Sequence, residues 1–264
     1  MGLSFCSLSS GSNGNCYYIG NGQKGILIDA GISSSAIRRY LRELDIPLQS
    51  IMGVLVSHNH TDHIRGLRLL AVKNNLPVFT TEKIKESILS QGNDTLRGLI
   101  REIPILNRFD LAGFEIEAFP VCHDAPETIG FHICGGDRRI TIATDLGHIC
   151  EVSAAYIRKS DFVVIESNYD EEMLRNGGYP YFLKSRIASD HGHLGNHQTS
   201  EFLAENFTDK ISHICLAHLS RNNNTPFKAL ETIEQTFSEK GIDLNGKPLI
   251  TVLDRDKPGN MIIL

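Results

Sequence analysis

No stretch of this sequence reaches the roughly 18 consecutive apolar residues that a membrane-spanning helix needs. The longest apolar runs are strand-sized, such as Phe162 to Ile165, so no membrane association is expected. Neither a basic region nor an apolar core precedes the polar Ser9-Ser10-Gly11-Ser12-Asn13-Gly14 segment; no secretory signal is expected, and the cytoplasm is the expected location. C-x-x-C pairs are absent. Cys6, Cys16, Cys122, Cys134, Cys150 and Cys215 are scattered, mostly within apolar segments, and read as small buried hydrophobes without chemistry of their own rather than as a disulfide framework. Basic excess is lacking too: 26 Lys and Arg against 31 Asp and Glu leave a net charge of −5, which is not the global balance of a protein that binds nucleic acid mainly by neutralising phosphates. There is no Gly-x-Ser-x-Gly elbow, which removes a serine hydrolase. The Gly-rich Ser9 to Gly14 segment has no Gly-Lys-Ser or Gly-Lys-Thr and is no P-loop; it is either a tight turn or a backbone cradle for a phosphate. Internal repeats, low-complexity tracts and long Pro or Gly-Ser linkers are missing.

What remains is ordinary globular material, 41% hydrophobic and 22% charged over 264 residues, enough to bury a full core. With no linker to divide it, residues 1–264 are expected to form one domain. Ile26 to Ile28 and Met52 to Val56 read as buried strands. Between them Ile37, Tyr40, Leu41 and Leu44 fall at helical spacing, with Ser33 to Ser35 as N-cap candidates and Pro47 beyond the end. A second helix is expected after His63, with Ile64, Leu67, Leu70 and Ala71 on one face, followed by a strand from Pro77. Ile116 to Val121, Ile129 to Ile133 and Ile140 to Ala143 are strand candidates, with Gly135-Gly136-Asp137 as a hairpin-like loop. A strand at Phe162 to Ile165, a helix from about Asn196 to Asn206 and a strand at Ile211 to Ala217 follow. The last helix has Thr225 at its N-cap, Pro226 at its first position and Phe227, Leu230, Ile233 and Phe237 facing inward. Such alternation predicts an α/β protein with sheets inside and helices outside.

One segment carries chemistry. In Ser57-His58-Asn59-His60-Thr61-Asp62-His63, four metal-ligand side chains fall within six residues, directly after an apolar strand. Two apart on extended chain, His58 and His60 point the same way and reach one metal. Where the chain turns into a helix, Asp62 and His63 swing toward a second position nearby, so the spacing suits two ions.

This His-x-His-x-Asp-His pattern resembles the metallo-β-lactamase superfamily, whose fold is a four-layer αββα sandwich, and the resemblance continues in order along the chain. It implies His123 in Val121-Cys122-His123-Asp124 as a third histidine of the first site. It also implies Asp145, ending the apolar Ile142-Ala143-Thr144, as a carboxylate shared by both sites, and His218 in Ala217-His218-Leu219-Ser220 as the last ligand. An ionised carboxylate at such a strand end needs metals or donors to offset its desolvation. His132 and His213 read as strand residues instead; Asp124 and His148 lie nearer the motif segments. Within the superfamily the chain resembles the YycJ/WalJ-like group, bacterial relatives of RNase Z and the phosphodiesterase branch. Leu8 to Asn15, Glu166-Ser167-Asn168-Tyr169-Asp170 with Gly192-His193-Leu194-Gly195-Asn196, and His218 to Asn224 carry this closer likeness. Gly195 stands where that group has Ser.

The resemblance implies a metal-dependent phosphodiester hydrolase, in the first place a 5′-to-3′ exonuclease on double-stranded DNA with a role in DNA repair. Two divalent ions, Zn or Mn with Fe also compatible, share a hydroxide as nucleophile. His58, His60 and His123 are assigned to one ion, Asp62, His63 and His218 to the other, Asp145 to both, and Asp62 additionally to orienting the nucleophile. His193 is the candidate general acid and Glu166 the carboxylate that orients it; the bland alternative is that His193 only caps the helix near Asn196. Asn168 and Asn196 are secondary contacts. Lys184, Arg186, Arg221 and Lys228 are candidate backbone contacts for a nucleic acid substrate, DNA before RNA. The competing readings are a small-molecule or RNA phosphodiesterase or another hydrolase of the same fold, a redox protein with two irons, and, remotely, a non-enzymatic nucleic-acid-binding protein. The oligomeric state is open.

Overall fold

Alternation of buried runs with amphipathic segments produces, in the computed structural model, a mixed α/β chain described over residues 2–244, 246 and 248–264. It resolves into two compact units interleaved in sequence. The first comprises Met1–Phe119, Ala125–Arg138 and Asp254–Leu264, the second Pro120–Asp124 and Arg139–Leu253.

The first unit holds strands β1 (Ser4–Ser9), β2 (Cys16–Gly20), β3 (Gly25–Ile28), β4 (Ile51–Leu55), β5 (Val78–Thr80) and β6 (Ile100–Glu102), with helices α1 (Ser34–Glu43), α2 (Thr61–Ile64), α3 (Leu67–Asn74) and α4 (Glu82–Ser90) between them. These strands form a sheet of order β14-β1-β2-β3-β4-β5-β6, in which β14 is Ile262–Ile263. The first three pair antiparallel, and β3 to β6 pair parallel. Strands β7 (Arg108–Leu111) and β8 (Phe114–Pro120) form an antiparallel hairpin, and β9 (Ile129–Gly135) lies beside β8. Ser33 caps α1 by accepting from Ala36 N, and Ile37, Tyr40 and Leu41 are buried on its inner face. The helix expected after His63 is instead two pieces, and the first starts at Thr61, so Asp62 and His63 are helical. Gly66 separates them: a Cβ there would sit 2.1 Å from the Ile32 carbonyl oxygen, so the backbones approach too closely for a continuous ridge of side chains.

The second unit is built on parallel strands β10 (Arg138–Ala143), β11 (Phe162–Glu166), β12 (His213–Ala217) and β13 (Leu249–Val252). Helices α5 (Glu151–Arg158), α6 (Glu171–Asn176), α7 (Tyr181–Ile187), α8 (Asn196–Glu205) and α9 (Pro226–Glu239) make the crossovers. Strand β11 is buried at every position, as a strand covered on both faces must be. Thr225 caps α9 and Pro226 occupies its first turn as expected. Phe227, however, is 70% exposed; the buried stripe runs Ala229, Ile233, Thr236 and Phe237. Phe227 lies two residues before that stripe, roughly 200° around the helix, and cannot share its face. His132 and His213 are strand residues, in β9 and β12. Among the described residues no helix is long and apolar enough to cross a membrane.

One rule places the polar side chains that matter. In a parallel sheet, functional groups gather at the carboxyl ends of the strands. Asp29 follows β3 and Ser57-His58 follows β4 by one residue; in the second unit Glu166 ends β11, His218 follows β12 and Asp145 lies just beyond β10.

Candidate metal centre

In the first unit the chain leaves β4 and presents His58, His60 and His63 as a cluster: the His58 ring centroid lies 4.6 Å from that of His60 and 4.0 Å from that of His63. His60 is the N-cap of α2, and Asp62 Oδ2 is 3.7 Å from His63 Nε2. The cluster is held from below by Asp29, a residue the sequence reading passed over. Its buried carboxylate accepts from Ser57 N and Ser57 Oγ, both at 2.8 Å, and from His63 Nδ1 at 2.7 Å. A carboxylate can only accept here, so Nδ1 carries the proton and Nε2 offers a lone pair; Asn15 Nδ2 is 3.0 Å from it. Asn15 also ties the polar N-terminal segment to the motif, donating its backbone N–H to the Asp62 carbonyl at 2.7 Å. That segment closes on itself: the N–H groups of Ser10, Gly11 and Gly14 go to Asp254 O, Asn15 Oδ1 and Gly11 O. It acts as a turn that positions Asn15. Gly31 is required beside it, since a Cβ there would fall 1.6 Å from the Asp62 carbonyl oxygen.

The second unit gathers Asp145, Glu166, His193 and His218, whose donor atoms all lie within 4.8 Å of one another. Asp145 Oδ1 is central, 3.7 Å from His123 Nε2, 3.5 Å from His218 Nδ1 and 3.8 Å from His193 Nδ1. Glu166 is fully buried. Its Oε1 accepts from His218 Nδ1 at 2.7 Å and from His193 Nδ1 at 2.8 Å, and its Oε2 from Leu146 N at 2.8 Å. Burial pushes the Glu166 pKa up, but the two imidazoles more than reverse this and hold it below the usual carboxylate range. For His193, burial pulls the pKa down, and the Glu166 carboxylate outweighs it, so the imidazolium persists above the ordinary histidine range. His193 does not cap α8. Gly195 is the N-cap, with its N–H on Gln198 Oε1 at 2.9 Å. A Cβ at Gly195 would lie 2.3 Å from Glu171 Oε1 and 2.9 Å from the Tyr169 ring, so a larger residue here would displace the Glu171 carboxylate.

The residues present suit divalent ions. The donor set is imidazole nitrogen and carboxylate oxygen, the chemistry that Zn, Mn and Fe share. His63, His123 and His218 each have Nδ1 against an oxygen acceptor, Asp29, Gly192 O and Glu166 respectively, so that Nε2 is the ring atom that could bind a metal, the usual arrangement around a metal-bound histidine; for His63 this would displace the Asn15 amide. Removing one such acceptor typically costs 10- to 100-fold in metal affinity. Asp29→Ala is therefore expected to weaken metal binding by roughly that factor, measured by competition with a chromophoric chelator.

Three residues just beyond strand ends share an unusual backbone. Asp29, Asp145 and His218 all have left-handed φ, at 59°, 58° and 57°. Each non-glycine residue in this region costs about 1–3 kcal/mol, and such positions cluster at functional sites. His148 sits apart from these interactions, its Nδ1 paired with Asp190 O at 2.9 Å. Asp124 lies beside His123, 3.3 Å from its Nε2, and is ion-paired to Arg186. Lys184 donates to Arg175 O, and Lys228 lies 3.9 Å from Glu231. Of the cysteines, Cys6, Cys16 and Cys215 are buried as expected, whereas Cys122, Cys134 and Cys150 are half-buried; all six are reduced.

Comparison with known proteins agrees with this geometry. Residues 24–210 match the family model described as the beta-lactamase superfamily domain. Over 249 residues the chain is 38% identical to exodeoxyribonuclease YycJ of Bacillus anthracis, covering 91% of each chain. It is 32% identical over 228 residues to exodeoxyribonuclease WalJ of Streptococcus pneumoniae, covering 85% of this chain and 84% of that one. Among solved structures, the metallo-beta-lactamase fold protein YhfI from Bacillus subtilis superposes over all of both chains with a TM-score of 0.73 at 14% identity, a likeness of fold. Histidines and carboxylates at parallel strand ends, two sheets flanked by helices and these matches lead to one assignment: the chain belongs to the metallo-β-lactamase superfamily, in the group that includes YycJ and WalJ.

Proposed function

We propose that this protein is a metal-dependent exodeoxyribonuclease that degrades double-stranded DNA from the 5′ end, acting in the cytoplasm in DNA repair. The observation that carries the reading is the 38% identity with exodeoxyribonuclease YycJ over 91% of both chains. The paired His193 and Glu166, at 2.8 Å, supports it with chemistry suited to a phosphodiester.

In this reading His58, His60 and His123 hold one divalent ion, Asp62, His63 and His218 a second, and Asp145 both, with Zn or Mn, or Fe, as the metal. Bound there, the ions supply an acidified water as nucleophile and neutralise charge on the phosphoryl oxygens. The chain's own residues do the rest. Asp62 orients the nucleophile. Glu166 takes the Nδ1 proton of His193 as a hydrogen bond and keeps the ring protonated, so that Nε2–H is available to a departing alkoxide. Asn168 Nδ2 donates to the His218 carbonyl at 2.8 Å, fixing the turn that carries this ligand. Asn196, with Oδ1 accepting from Ser167 Oγ at 2.6 Å, braces the segment after β11.

The test is a digestion of 5′- and 3′-labelled duplex DNA, single-stranded DNA and RNA by metal-stripped protein restored with Mn²⁺ or Zn²⁺, beside Asp145→Ala and a bis-p-nitrophenyl phosphate assay. Metal-dependent mononucleotide release from the 5′ end of the duplex, lost in the variant, is expected. Hydrolysis of the small diester with every nucleic acid left intact would replace the reading with a small-molecule phosphodiesterase.

A further inference from the structure

Between Glu172 and Asp190 the chain runs 17 residues without a carboxylate while carrying Arg175, Lys184 and Arg186, against a net charge of −5 for the whole. This stretch holds most of α6 and all of α7. Tyr181 is 85% exposed and Phe182 73%, the two most exposed aromatic side chains among the described residues. Tyr181, Tyr169 and Leu174 wall a cleft of about 450 Å³ whose lining carries two cations, Arg175 and Lys184, against one carboxylate, Glu171. Aromatic faces beside cations that track a backbone are the features with which proteins hold unpaired bases.

The segment is tied to the candidate acid. Ile187, the last residue of α7, accepts the His193 backbone N–H at 2.8 Å. Arg186, one residue earlier, is ion-paired to Asp124 at 2.5 Å, next to His123. At about 1.5 Å per residue the helix places Tyr181 roughly 9 Å along its axis from Ile187. Successive nucleotides of one strand are about 3.4 Å apart in a duplex and further apart once unstacked, so Tyr181 and Phe182 stand within about two to three nucleotides of the point where the helix meets His193.

We infer that Tyr181 and Phe182 form a stacking platform for unpaired bases of the DNA strand, with Arg175 and Lys184 contacting its phosphates. The inference rests on the nuclease reading and adds to it a substrate feature: a strand opened over the last few nucleotides. A duplex end has its bases paired and stacked on each other. Bases splayed onto the exposed rings and the Tyr169–Tyr181 cleft keep the strand from re-annealing while its end is held at the acid.

The chain contains no Trp, so Tyr181→Trp introduces a single indole that reports stacking by quenching. It is titrated with a 5′-overhang duplex protected by phosphorothioate linkages, and with the same DNA made abasic over the overhang. In parallel the dissociation constant of the overhang duplex and its rate of digestion are measured for wild type and for Tyr181→Ala/Phe182→Ala, with the thermal midpoint as a check on folding. Quenching by the base-bearing overhang but not the abasic one, and a roughly tenfold weaker binding in the double variant, are expected. If wild type binds and digests DNA but the double variant binds it equally well, or if abasic DNA quenches equally, the platform is wrong and the nuclease reading stands. If wild type neither binds nor digests DNA while hydrolysing bis-p-nitrophenyl phosphate, both fall together.

Discussion

Asp145→Asn is expected to lower metal-dependent DNA hydrolysis by roughly 10³-fold or more while leaving the protein folded. Asp145 Oδ1 lies within 3.8 Å of imidazole nitrogens on three histidines, His123, His193 and His218, so its charge faces all three rings. The choice of Asn matters. At φ 58° the residue occupies left-handed backbone, which Asn and Asp tolerate better than other side chains, so the substitution removes the negative charge without adding backbone strain. Loss of activity with an unchanged thermal midpoint in the metal-free protein, and weaker metal retention against a chelator, is the expected pair of results. Activity retained within tenfold would remove Asp145 from the ligand set.

The sequence made the His58 to His63 cluster readable because its chemistry is local: four ligating side chains in six residues after a buried strand admit few other purposes. Asp29 escaped because its purpose is not local. Its partners Ser57 and His63 are 28 and 34 positions away; only the pattern Ile26-Leu27-Ile28-Asp29, an apolar strand ended by an acid, was there to be seen. The same pattern at Asp145 takes its meaning from the family resemblance. Helix breaks behave similarly. Periodicity alone joins Ile64 to Leu67, whereas the break between α2 and α3 falls at Gly66, whose close approach to Ile32 O, 2.1 Å from where a Cβ would stand, is a contact distant in sequence. Hydrophobicity alone places Phe227 inward; its position in the turn, rather than its side chain, decides that it faces solvent. For His193 and Glu166 the resemblance named both residues, but nothing in the sequence says that Glu166 also holds His218.

That sharing makes Glu166→Gln the more informative variant. Glutamine keeps the volume of the buried side chain, yet its NH₂ cannot accept the Leu146 N–H that Oε2 now accepts at 2.8 Å, and its neutral oxygen no longer balances two imidazoles. Turnover of DNA is expected to fall about 10²-fold or more, the scale of a lost general acid. The pH profile gives the sharper result. Burial lowers the His193 pKa and Glu166 raises it by more; without the carboxylate, burial remains and the ring gives up its proton at lower pH. A step that needs protonated His193 fails as pH rises through that pKa, so the alkaline limb of kcat should move to lower pH in the variant. Bis-p-nitrophenyl phosphate supplies the control, because p-nitrophenolate leaves without a proton. If Glu166 acts through the acid, the loss on DNA should exceed the loss on the small diester by tenfold or more, whereas a defect confined to the His218 position should reduce both equally and leave the alkaline limb in place.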